Sequence, residues 1–330
     1  MSAVAAAATA GARERVGDPG ALPVAAVEAV VAAALAEDAP WGDATTEALL
    51  GPDVRATARL VAREDGVLAD VGVLAAALRQ AAALADAPGT TPPSVRLLVA
   101  DGERFAAGAV LAEVEGSARA VLRAERVALN LVQRLSGVAT LTAAFVAEVA
   151  GTGCRVVDTR KTTPGLRALE RAAVRCGGGR NHRTTLSDAV MVKDNHLAVL
   201  TAGGWDDDVV TDGLRRLRER LPHTTSVEVE VDRLDQLDAV LAAGVDVVLL
   251  DNMAPDDLRR GVERVAGRAL VEASGGVRLS TVGAIARSGV DVVSVGALTQ
   301  AAPCLDLGLD VDVATGTGTG TDEGPPGERA

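Results

Sequence analysis

Of the thirty-three basic residues in this 330-residue chain, two are lysines, Lys161 and Lys193. Arginine serves everywhere else, so these two mark positions that need a compact three-donor ammonium rather than a planar fork. Both follow short apolar runs, in the strings DTRKTTPG and MVKDNH. Thr159 and Arg160 precede the first lysine; an arginine grips a carboxylate or phosphate through two parallel bonds, and a lysine adds a point charge on a phosphate or leaving group. In CGGGRNHR, three glycines precede Arg180, His182 and Arg183. A glycine-rich turn lets backbone N–H groups approach an anion, though this spacing fits no Walker or dinucleotide fingerprint. A lone histidine is most often a structural hydrogen-bonder; between two arginines and after three glycines, His182 reads as part of a site. Glu230 and Asp251 sit at the ends of two apolar runs. Such carboxylates could bind Mg2+, hold ribose hydroxyls or oppose a developing cation, and without partners their burial would be costly. Ser274, Gly275 and Gly276, and then Val295, Gly296 and Ala297, supply small residues after the last two runs, where backbone amides commonly cradle a phosphate.

The elements that must position these groups follow from pattern. Short β-branched runs (RVVDTRK, AVMVKDN, SVEVEVD, VDVVLLDN, ALVEASGG, VDVVSVGAL) alternate with helical or loop segments from residue 155 onward. Near-continuous apolar strands of this kind indicate a buried parallel sheet. Each ends in a polar cluster, as the strand ends of an α/β barrel do; an open doubly wound sheet has the same periodicity. Before them runs a long helical stretch, 117–151. The first hundred residues mix a helix at 23–37, a turn and cap in WGDATTEALL, strand-like segments at 56–70 and 95–116, and a helix between those strands. Residues 1–20 and 313–330 are low-complexity and read as disordered tails. The expected division is an amino-terminal α/β sandwich domain with its connecting helix over 21–135, a barrel over 136–298, and a return segment over 299–312 that packs on the first domain.

Composition limits what the site can serve. Net charge is −12, yet residues 155–196 hold nine basic and four acidic residues, a positive pocket in an acidic body. That suits a small polyanion and argues against a nucleic-acid or anionic-membrane surface. Aromatics are 1% of the chain with no tyrosine, so base-stacking platforms are scarce. Three cysteines without CxxC spacing fit a reducing compartment, here expected to be the cytoplasm, and three histidines are too few for a His/Cys metal cluster. No apolar run of membrane-spanning length is free of charge, and the amino terminus lacks the basic start of a signal peptide.

The strings ERVALNLVQRLSGVAT, DTRKTTPGLRALERAAVRCGGGRNHR, MVKDNH, VEVEVD, LLDNM, EASGG and VGALT together resemble the quinolinate phosphoribosyltransferase family, from about Leu22 to about Asp312, and GDATTE resembles its amino-terminal pattern. The resemblance implies a type II phosphoribosyltransferase fold, an α/β sandwich domain with an incomplete TIM-like α/β barrel. It implies transfer of phosphoribosyl from phosphoribosyl pyrophosphate to quinolinate with decarboxylation, giving nicotinate mononucleotide, CO2 and pyrophosphate, with Mg2+ required. It also implies a homodimer or larger assembly with shared sites. Carried over by position, Arg126 would reach a neighbouring subunit's site. Thr159, Arg160, Lys161, His182, Arg183 and Lys193 would line the quinolinate and pyrophosphate pocket. Glu230 and Asp251 would face ribose and metal, and Ser274–Gly276 with Val295–Ala297 would bind the 5′-phosphate. Lys161, Lys193, Glu230 and Asp251 are the expected catalytic groups. Three other readings stay open at this point: a sister phosphoribosyltransferase using another base, a Schiff-base lyase with Lys161 or Lys193 as nucleophile, and a silent phosphate-ligand sensor.

Overall fold

The computed structural model describes residues 22–85 and 91–313. Of the tails expected at 1–20 and 313–330, all but Val313 lie outside them, and Val313 ends a strand.

The chain opens with α1 (Val24–Asp38) and α2 (Ala44–Leu49). The second is more than the turn and cap expected there: Asp43 accepts a hydrogen bond from Thr46 N at 3.0 Å and starts a short helix. Then come β1 (Arg55–Ala62), β2 (Gly66–Val67), α3 (Val73–Ala85), β3 (Ser94–Leu97), β4 (Arg104–Phe105) and β5 (Val110–Ser117). Along β1, Ala56, Ala58, Leu60 and Ala62 are buried and their neighbours mostly exposed, the alternation of a sheet covered on one face. The cover is α3 and α4 (Ala118–Glu148), which contribute Leu74, Leu78, Val132 and Leu135 to the core.

From α4 the chain enters β6 (Arg155–Val157), α5 (Arg167–Cys176), β7 (Val190–Val192), α6 (Asp194–Leu200), α7 (Asp207–Glu219), β8 (Val227–Val231) and α8 (Leu237–Ala242). It continues through β9 (Val247–Asp251), α9 (Pro255–Val265), β10 (Leu270–Ser274), α10 (Leu279–Ala286), β11 (Val292–Ser294) and α11 (Ala297–Gln300). These strands form one parallel sheet in the order β6-β11-β10-β9-β8-β7. Consecutive strands are neighbours except the first two, β6 and β7, which form its two edges. The sheet is therefore an incomplete α/β barrel whose opening falls between them. The edge of β6 is partly covered by the segment at Arg180, whose N–H donates to Val156 O at 2.9 Å and whose carbonyl accepts from Asp158 N at 3.1 Å.

The last strand, β12 (Leu307–Val313), leaves the barrel and pairs antiparallel with β1, completing the order β12-β1-β5-β3. Helix α4 is long and apolar enough by length and composition to cross a membrane, but most of its apolar stretch is buried between the two sheets' helices as a core element.

Candidate active site at the barrel mouth

Successive strand residues point to opposite faces. In β7, β8, β9 and β10 the inward face therefore carries Met191 and Lys193, Glu228 and Glu230, Leu249 and Asp251, and Glu272 and Ser274. All of these but Glu228, with Ser294 from β11, line a cavity of about 510 Å³ at the carboxyl ends of the strands, where α/β barrels place their chemistry. Thr159, Arg160, Lys161, His182, Arg183, Lys193, Glu230, Asp251, Ser274, Gly275 and Gly276, all named from sequence, line that cavity. Val295, Gly296 and Ala297 do not. Val295 is buried and its N–H is spent on Val157 O at 3.0 Å, and Ala297 begins α11. Gly296 stands behind the site, where an added Cβ would come within 3.1 Å of the Lys161 side chain.

The two lysines are held differently. Lys193 Nζ pairs with Glu230 Oε2 at 2.5 Å. Lys161 has its backbone fixed on both sides, its N–H donating to Thr159 Oγ1 at 3.0 Å and its carbonyl accepting from Thr299 Oγ1 at 2.8 Å. Arg160 lines the cavity, and its Nε is buried without a hydrogen-bond partner. Asp251 accepts from Asn252 Nδ2 at 2.6 Å.

Sequence reasoning gave no role to Glu228 and Glu272, and both are nearly fully buried beneath His182. His182 Nε2 lies 3.1 Å from Glu228 Oε2 and 3.5 Å from Glu272 Oε2. Burial works against a charged imidazole, but hydrogen bonds and charge from these two carboxylates overcome it and push the ring up to about 10. The Arg183 N–H is aimed at Nδ1 from 2.8 Å, a contact that favours the neutral ring and works against the two carboxylates. Burial, then the neighbouring Glu272 charge, raises Glu228 despite His182. The ligand atoms of His182, Glu228 and Glu272 lie within 4.8 Å of one another, so this trio is the compact group in the described residues that could hold a metal ion. Glu230 and Asp251, the pair expected to hold Mg2+, contact Lys193 and Asn252 respectively. The period-two rule applied backwards from Glu230 and Ser274 would have found both buried acids.

Beneath His182 and Arg183 lies a network that the sequence did not reveal. Arg171 on α5 pairs with Asp158 at 3.1 Å and also donates to the carbonyls of Arg183 (3.1 Å) and His182 (2.5 Å). Asp158 in turn accepts from His182 N at 2.8 Å and from Asn181 Nδ2 at 2.5 Å. One residue earlier on α5, buried Glu170 accepts from Thr163 N and Oγ1 and pairs with Arg134 of α4 at 3.0 Å, fixing the loop that carries Lys161.

The three glycines do not form the anion turn their spacing suggested. Their N–H groups donate to Ala173, Arg175 and Val174 carbonyls. A Cβ at Gly177 would stand 2.4 Å from Ala139 O, and one at Gly179 would stand 2.8 Å from Thr142. Gly177 and Gly179 are small so that this turn can pack on α4, whereas Gly178 has a φ of +83°. Gly275 has both constraints: its φ is +90°, and a Cβ there would collide with Asn252 Oδ1 at 2.3 Å. Arg126 lies away from the cavity, exposed on α4.

Two family profiles match the chain in succession: quinolinate phosphoribosyl transferase, N-terminal domain, over residues 43–136, and the C-terminal domain of the same family over 138–310. A nicotinate-nucleotide pyrophosphorylase (carboxylating) of Mycobacterium leprae is 43% identical over 281 residues, covering 84% of this chain and 94% of the relative. A probable enzyme of the same name from Bacillus subtilis is 37% identical over 276 residues, covering 83% and 89%. The solved structure of the nicotinate-nucleotide pyrophosphorylase from Francisella tularensis superposes with a TM-score of 0.77 at 34% identity, covering 89% of this chain and 98% of that one.

Proposed function

The chain belongs to the quinolinate phosphoribosyltransferase family, and from that premise we propose how its barrel mouth does the family's work. The reaction moves phosphoribosyl from phosphoribosyl pyrophosphate to the ring nitrogen of quinolinate and releases CO2 and pyrophosphate, giving nicotinate mononucleotide for NAD biosynthesis. One observation carries the assignment of roles. Arg160, Lys161, His182, Arg183 and Lys193 line a single cavity together with Glu230 and Asp251. The one cavity thus offers cations to carboxylates and pyrophosphate and carboxylates to a developing positive charge.

In this reading Arg160, His182 and Arg183 hold the two carboxylates of quinolinate, the arginines by paired donors. Lys161 and Lys193 meet the pyrophosphate as it separates, with charge already in place before the bond breaks. The ribose carbon becomes cation-like during transfer, and Glu230 and Asp251 oppose that charge. Ser274, Gly275 and Gly276 offer the 5′-phosphate a close backbone approach. The pyridine becomes cationic on ribosylation, which stabilises the carbanion left when the 2-carboxylate departs. Positioning and electrostatics therefore dominate. Mg2+ takes few protein carboxylates and shares substrate phosphates; Glu230 and Asp251, at the ends of neighbouring strands, suit that mode and would hold the ion, which would offset negative charge on the departing pyrophosphate. In this reading Arg126, exposed and away from its own cavity, serves a second copy of the chain, and the working form is a homodimer or larger. Cytoplasmic residence fits the unpaired cysteines.

The test is direct. Purified protein with quinolinate, phosphoribosyl pyrophosphate and Mg2+ should yield nicotinate mononucleotide by mass, dependent on all three. Pyrophosphate released with nicotinate but not with quinolinate would move the chain to a sister activity.

A further inference from the structure

Neither Asp158 nor Arg171 lines the cavity, yet both are buried directly behind it. A buried ion pair is weak support for stability, because an apolar pair of similar volume often serves as well. Here nearly every remaining bond of the pair ends on one three-residue segment. Arg171 takes the carbonyls of His182 and Arg183. Asp158 takes the amide of His182 and the side chain of Asn181, whose Nδ2 returns to Arg171 O at 2.9 Å. The segment is thereby fixed through carbonyl and amide at once, at the open edge of the barrel, where no neighbouring full strand holds it. A guanidinium suits this because its planar fork can bond a carboxylate and two carbonyls simultaneously.

We propose that Asp158 and Arg171 are positioning residues for quinolinate recognition, a clamp that aims His182 and Arg183 at the substrate's carboxylates without touching it. The inference rests on the reading that those two side chains bind quinolinate. It has a signature that a general structural role lacks. The lysines reach the pyrophosphate from other segments, Lys193 after β7 and Lys161 on a loop held by Glu170 and Thr299. Loosening the clamp should therefore weaken one substrate and spare the other.

Arg171→Lys keeps the buried charge and removes the fork. The expected result is a KM for quinolinate raised about ten-fold or more, the scale of losing charge-assisted bonds, with the KM for phosphoribosyl pyrophosphate within about two-fold of wild type. Asn181→Ala leaves the Asp158–Arg171 ion pair intact and removes only the Asn181 side-chain ties to Asp158, Arg171 O and Arg175, so it keeps the proposal testable if the first variant does not fold; a smaller rise, again confined to quinolinate, is expected. Calorimetric titration of quinolinate should show the same losses without turnover. Equal rises in both KM values, or a lower Tm with both KM values unchanged, would overturn the proposal. Wild-type protein that makes no product from quinolinate would instead defeat the underlying functional reading.

Discussion

Lys161 can be tested at a single atom group. Replacing it by alanine should lower kcat by about 100-fold or more, the scale of losing one preorganised transition-state contact, in steady-state assays at saturating substrates. Lys161→Arg should restore little of this. The guanidinium is larger and differently shaped, and the space beside the Lys161 stem is already close to Gly296. Turnover within a few-fold of wild type in the alanine variant would show that electrostatic stabilisation at this point is not what drives the reaction. The residues that touch the cavity were largely legible in the sequence because their types are unusual there: scarce lysines, a histidine between arginines, carboxylates at the ends of apolar runs. The residues behind them were not. Asp158 and Arg171 are ordinary charges in a basic stretch, and only folding brings them 3.1 Å apart under the His182 segment. Glu228 and Glu272 were hidden because two alternate positions on one strand look like any polar pair until the barrel's inward face is known.

The helices and strands were readable for a plainer reason. Apolar runs bounded by polar or glycine residues must be buried somewhere, and length separates strand from helix. What pattern could not supply was why a particular glycine is a glycine. In the run at 177–179, Gly177 and Gly179 proved to be packing contacts with α4, whereas Gly178 and Gly275 are required by their own backbones. Gly275→Ala should strain the positive-φ turn and displace Asn252, raising the KM for phosphoribosyl pyrophosphate several-fold with a modest loss of Tm; an unchanged KM would remove this turn from the phosphate site. A second element-scale outcome concerns the start of α3. Asp70 accepts from Gly72 N and Leu74 N, and burial pushes its carboxyl from 3.8 up to about 6. The fold thus favours the protonated form. That contribution is present below about pH 4 and is lost as pH rises through about 6, on the order of 3 kcal/mol by linkage. Asp70→Asn removes the charge and keeps acceptance at one of the two oxygens, so apart from a constant offset its stability relative to wild type should increase between pH 4 and pH 6 in denaturant titrations and then level off. A constant difference across that range would place Asp70's charge elsewhere in the balance.

At the scale of the whole molecule, the placement of Arg126 on an exposed face of α4, away from the cavity of its own chain, makes a distinct demand on assembly. If two copies complete each other's sites, Arg126→Ala and Lys161→Ala proteins, each nearly inactive alone, should regain about a quarter of wild-type activity when unfolded together and refolded as a mixture, because half the dimers are hybrids with one intact site. No recovery, with hybrids shown to form, would leave Arg126 without a role in a partner's site. The two sheets are also bound into one folding problem. β1 lies near the start of the chain, and its edge is closed by β12 at the far end, with Ala58 opposite Val311. The six parallel strands are made between those two partners. On a growing chain the first sheet to be translated is thus the last to be finished, and until then β1 presents an unpaired edge, which is the kind of surface that recruits other chains. Synthesis in order from the amino terminus therefore gives this protein no early, self-sufficient domain, and its demand for protection should be greatest just before the final strand appears.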